Sequence, residues 1–75
     1  TSAAASRQLE AIAALEQDGR LATLPRALRE IADLRVRHPH LNLSELAEAG
    51  GEGLTRSAVN HRLRRLVKAA DLVGS

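Results

Sequence analysis

Residues 54–70 carry five Arg/Lys and no Asp or Glu, although the whole 75-residue sequence holds 11 basic against 9 acidic side chains. In the same stretch Val59, Leu63, Leu66 and Ala70 recur at i, i+4, i+7 and i+11, with Val67 at the edge of the stripe, which puts them on one face of an α-helix. At about 100° per residue the opposite face presents Ser57, Asn60, His61, Arg64, Arg65 and Lys68. A helix of this kind has to bury its apolar face against other elements and leave its basic face open. The rest of the chain is what covers that stripe.

The covering material is aliphatic. There is no Phe, Trp, Tyr, Met or Cys, and the 44% hydrophobic content is mostly Leu and Ala with some Val and Ile, a mixture that favours helix over sheet. Helix packed on helix is the expected architecture. A chain of this length can bury about 60% of its unfolded surface, enough for one small domain. Without cysteine there is no disulfide framework and no thiolate zinc site, which fits a reducing compartment. No apolar run approaches the roughly 18 residues of a membrane span, and no signal-peptide pattern is visible. The expectation is a soluble, cytoplasmic, nucleoid-associated domain. The chain opens on Thr1 rather than Met, which suggests a piece of a longer protein.

Charge is segregated along the sequence. Residues 1–53 hold six basic and eight acidic side chains, net −2, and residues 54–75 hold five basic and one acidic, net +4. An anionic partner would therefore dock on the last helix.

Punctuation divides the chain into four helical segments. An Ala-rich pattern over residues 3–17 groups Leu9, Ile12 and Ala13, with Ala5 and Glu16 at its margins, and Asp18-Gly19 is a plausible stop. Leu24-Pro25 opens a second helix over residues 25–37, because proline is tolerated in a first turn. Leu24, Leu28, Ile31, Ala32 and either Leu34 or Arg35 form its stripe. His38 precedes Pro39, which pushes it out of the helical region and ends that helix. Asn42 and Glu45 have the spacing of a capping box, with Leu41 and Leu46 as its hydrophobic staple, for a short helix over residues 43–49. Gly50-Gly51-Glu52-Gly53 then permits a sharp turn. Thr55 is a good N-cap for the last helix, with Leu54 and Val59 at the staple positions. Residues from Asp71 onward are expected to fray. The resulting division is a helix or linker at 1–20 from an upstream domain, a helix-turn-helix domain at 21–71 and a tail at 72–75.

A short helix, a tight turn and a longer basic helix, preceded by a supporting helix, make an all-α helix-turn-helix domain of three to four helices. In that geometry the last helix enters the major groove of duplex DNA. Arginine matches the two acceptors of guanine and asparagine the donor and acceptor of adenine. Arg56, Ser57, Asn60, His61 and Arg64 are thus the candidates for base edges, and Thr55, Arg65 and Lys68 for phosphates. Backbone amides at the start of the 43–49 helix offer one further phosphate contact. The same basic face also suits a plain solvated surface, or a protein-interaction module docking on an acidic surface of a transcription partner.

Other chemistries find less support. Ser57 and His61 share a helix face, but no orienting acid or oxyanion hole accompanies them, so no catalytic residue is expected. His38 and His40 lack a third ligand, and neither metal nor cofactor is expected. The glycine cluster has no preceding strand and no Lys-Ser/Thr ending, so it is not a phosphate loop. Without aromatic side chains there is no stacking platform for single-stranded nucleic acid.

The run Leu24-Pro25-Arg26-Ala27-Leu28-Arg29-Glu30-Ile31-Ala32-Asp33-Leu34-Arg35, then His38-Pro39, Leu43-Ser44-Glu45-Leu46 and above all Val59-Asn60-His61-Arg62-Leu63-Arg64-Arg65-Leu66, resembles the C-terminal helix-turn-helix domain of WhiA-type sporulation and cell-division transcription regulators. The resemblance covers about residues 24–68. It implies a bacterial regulator in which this module follows an N-terminal domain similar to LAGLIDADG homing endonucleases that has lost nuclease activity. It also implies action at promoters, with a partner regulator or an RNA polymerase sigma factor as further partner. Members of that family tend to have an acidic or proline-containing segment where this chain has Gly50-Gly51-Glu52-Gly53, so the aim of the last helix is the feature the resemblance fixes least.

Overall fold

The computed structural model describes residues 2–51 and 53–73. Helix α1 spans Ser2–Gln17, a 3₁₀ turn covers Leu21–Thr23, and α2, α3 and α4 span Arg26–Arg37, Leu43–Ala49 and Arg56–Val73. No strand occurs among the described residues. The end of α1, both ends of α2 and the starts of α3 and α4 each trace to a local chemical cause.

Helix α1 stops where Gly19 takes φ = 76°. The amide of Arg20 then donates to the Leu15 carbonyl at 3.0 Å and that of Gly19 to the Glu16 carbonyl at 3.1 Å, the paired bonds of a Schellman cap. Pro25 stands one residue outside α2, with extended ψ, and its carbonyl accepts from the amides of Leu28 and Arg29. It serves as the N-cap rather than as the first helical residue. At the other end α2 stops at Arg37, immediately before the His38-Pro39 pair. The capping box of α3 is complete: Glu45 N–H donates to Asn42 Oδ1 and Asn42 N–H to Glu45 Oε1, each at 2.9 Å.

One core lies between the helices. Ile12 and Leu15 of α1, Leu28, Ile31 and Ala32 of α2, Leu46 and Ala47 of α3, and Val59, Leu63 and Leu66 of α4 are buried together. Around them pack Leu21, Leu24, Leu34, Leu41, Leu43, Leu54, Ala69 and Ala70, so both expected staples, Leu41 with Leu46 and Leu54 with Val59, join the core. Each fully buried leucine contributes about 1.5–3 kcal/mol of transfer free energy.

Two expectations change. The buried face of α1 is Ala11, Ile12 and Leu15, whereas Ala13 and Glu16 are exposed. Alanine at so many positions blurs the stripe, and the wholly buried Leu15 sets its direction. Through that face α1 packs against α4 and α2 within the core shared by residues 21–71. Finally, α4 continues through residues 72 and 73 instead of fraying from Asp71, because no helix breaker occurs before Gly74. Residues 74 and 75 of the expected tail, and Glu52 of the expected turn, lie outside the described residues.

Candidate nucleic-acid interface

Helix α4 is anchored first and displayed second. At its start Thr55 Oγ1 accepts from the Ala58 amide at 3.1 Å and the Thr55 carbonyl from the Val59 amide at 3.0 Å. Val59, Leu63 and Leu66 are at most 1% exposed, so rotation of the helix about its axis would expose core. The face thereby turned outward carries Arg56, Ser57, His61, Arg64, Arg65 and Lys68, all exposed. Asn60 is half-buried at the edge of that face.

Elsewhere in the domain, Arg20 pairs with Asp18 at 3.2 Å, Arg26 with Glu30 at 2.8 Å and Arg37 with Asp33 at 3.1 Å. On α4, among the described residues, Arg56, Arg64, Arg65 and Lys68 form no salt bridge. They are spread over the outward half of the helix, Arg56 on one depression and Arg64, Arg65 and Lys68 on another. Arg62, the remaining base of the stretch, is half-buried and lines a groove with Glu30 and Asp33 on a different side.

Two depressions border the α4 face. One runs between α1 and α4, where Arg7 and Gln8 stand across from Asn60, His61, Arg64 and Lys68. The other lies where the start of α3 meets the first turns of α4, and Asn42, Ser44, Arg56 and Asn60 line it together with Gln8 and Arg35. Asn60 therefore stands at the junction of both. Of the eight candidate residues, Thr55 is committed to the cap through one acceptor lone pair, and the other seven lie along α4 within one continuous stretch of 13 residues, 56–68.

Arg35 is the residue whose part the sequence left open. It is 2% exposed, on the stripe of α2 with Leu28 and Ile31. Its Nη2 donates to the carbonyls of His38 at 2.7 Å and Leu41 at 2.6 Å, and its Nη1 to Gln8 Oε1 at 3.2 Å. The buried Nε has no partner. Desolvation lowers the guanidinium pKa below its ordinary value, yet arginine remains charged at any physiological pH. One buried cation thus holds the turn that precedes α3 and, through Gln8, the flank of α1. A base in the middle of an apolar stripe was the available signal.

His38 gives its carbonyl to Arg35, and His40 is exposed. Among the described residues no cluster of three or more His, Cys, Asp or Glu is placed to hold a metal ion. No described helix is long and apolar enough to cross a membrane.

The arrangement of a short capped helix, a glycine turn and an outward basic helix has counterparts among known proteins. Residues 1–70 match the family described as the WhiA C-terminal HTH domain. The chain belongs to this family. The match begins at residue 1, so the WhiA domain takes in α1 as well as the stretch from Leu24 onward that carried the resemblance. Curated relatives of the WhiA family include proteins named "Probable cell division protein WhiA". The one from Brevibacillus brevis is 46% identical over 71 residues, covering 93% of this chain and 22% of the relative. That from Staphylococcus haemolyticus is 47% identical over 76 aligned positions, covering 100% of this chain and 24% of the relative. A third, from Oenococcus oeni, is 47% identical over 66 residues, 87% of this chain and 21% of the relative. The chain thus spans less than a quarter of the length of these WhiA relatives. No solved structure matches it.

Proposed function

We propose that this domain is the C-terminal DNA-binding module of a bacterial transcription regulator that acts in cell division and sporulation, with α4 as the recognition helix in the major groove. The observation that supports this reading is the α4 face: four exposed bases with no salt bridge among the described residues, on a helix whose reverse side is packed in the core. In this assignment Arg56, Ser57, Asn60, His61 and Arg64 address base edges, while Thr55, Arg65 and Lys68 address phosphates. The module binds rather than catalyses, in the cytoplasm at the nucleoid, and the rest of the regulator supplies contacts to a partner regulator or a sigma factor.

Fluorescence titration of random and promoter duplexes at several salt concentrations tests the proposal. Affinity should fall linearly on a log–log plot against salt, with a slope of about −0.9 for each phosphate neutralised. A slope near zero, or no duplex bound below about 100 μM at low salt, would defeat it. Binding confined to an acidic protein would instead identify an interaction module.

A further inference from the structure

Helix α1 brings a base of its own to the groove beside α4. Arg7 is exposed, lines that groove opposite His61, Arg64 and Lys68, and forms no salt bridge among the described residues although Glu10 follows three residues later. Its position is not loose. The neighbouring Gln8 accepts from the buried Arg35 at 3.2 Å, and Ala11, Ile12 and Leu15 seat the following turns in the core. Asp71, the acidic residue among those lining the groove, belongs to the last turns of α4.

A groove with exposed cations on two packed helices matches a linear polyanion better than a point ligand. We propose that it seats the sugar-phosphate backbone of one DNA strand, with Arg7 as a phosphate contact that lies outside the helix-turn-helix unit proper. This rests on α4 being the recognition helix. It assigns α1 a direct part in binding, in addition to its part in the core, and it carries no sequence information because phosphates are common to all duplexes.

The experiment is a salt series with the 75-residue chain and a random-sequence duplex, comparing the unmodified protein with Arg7→Ala, Arg7→Lys and Arg29→Ala. Arg29 lines the groove of α1 and α2 on another side, with Leu21 and Val36. Arg7→Ala should bind every duplex several-fold more weakly and reduce the salt slope by about 1. Arg7→Lys should retain most of the slope, and Arg29→Ala all of it. Alanine on this exposed helix position preserves helicity, which circular dichroism verifies. An unchanged slope in Arg7→Ala, with the unmodified chain binding normally, overturns the Arg7 assignment and leaves the α4 reading intact. Absence of duplex binding by the unmodified chain overturns both.

Discussion

Arg35 Nη2 donates to the Leu41 carbonyl at 2.6 Å, so a side chain of α2 fixes the backbone one residue before the Asn42 cap of α3. Substituting Arg35 with Ala or Met leaves the carbonyls of His38 and Leu41 without that donor and frees Gln8. A loss of about 3 kcal/mol follows for Arg35→Ala, read from urea unfolding. Lysine, with a compact ammonium in place of a fork, should recover little of it.

The same residue makes a statement about pH. Burial penalises the charged form in the folded state and lowers its pKa, so any relief comes only as pH rises through that lowered value. It lies far above neutrality. The destabilisation caused by Arg35→Met should therefore be equal at pH 5 and pH 9; a difference beyond about 0.5 kcal/mol would show that another titrating group is involved.

Leu15 is wholly buried. Leu15→Ala should cost about 2–4 kcal/mol by opening a cavity beneath α1. A detached leading segment would give almost no change, so the thermal midpoint of this variant decides whether α1 is part of the cooperative unit.

The turn before α4 has two kinds of glycine. Gly51 takes φ = 95° with open space around it, and Gly51→Ala should cost about 1 kcal/mol through backbone strain alone. Gly50 has ordinary φ, but an added Cβ would run into Leu54 Cδ2 and lie 3.3 Å from Leu34 Cδ2. Gly50→Ala must therefore turn aside the end of the Leu54 side chain, at about 1 kcal/mol, the low end for overpacking. Urea unfolding of the two variants checks both costs.

The base and phosphate roles proposed for α4 separate by experiment. Substituting Arg65 and Lys68 together with Ala should weaken all duplexes alike, while Asn60→Ala should change the discrimination between sequences. Equal effects of both on every duplex would remove the division of roles along α4.

The architecture was legible because five helix ends have a short-range cause: Gly19, Pro25, His38-Pro39, the Asn42 and Glu45 pair, and Thr55 each act within a few residues. The α4 stripe was legible for the same reason, since Val59, Leu63 and Leu66 recur there at spacings of four and three. Alanine is equally at home inside and outside, so the direction of α1 depended on its packing partner and not on its own pattern. The role of Arg35 spans 27 residues in its bond to Gln8, and no local periodicity encodes such a bond. Nor did the sequence alone bring Arg7 beside Arg64, because that proximity arises only once Ile12 and Leu15 meet α4.

Gln8, His38 and Leu41 all bond to a single guanidinium, which ties the two flanks of the α4 face to one another. For the duplex proposed to lie there, a tie of this kind would lower the entropic penalty of association and make the spacing between the flanks a gauge for the width of what can lie between them.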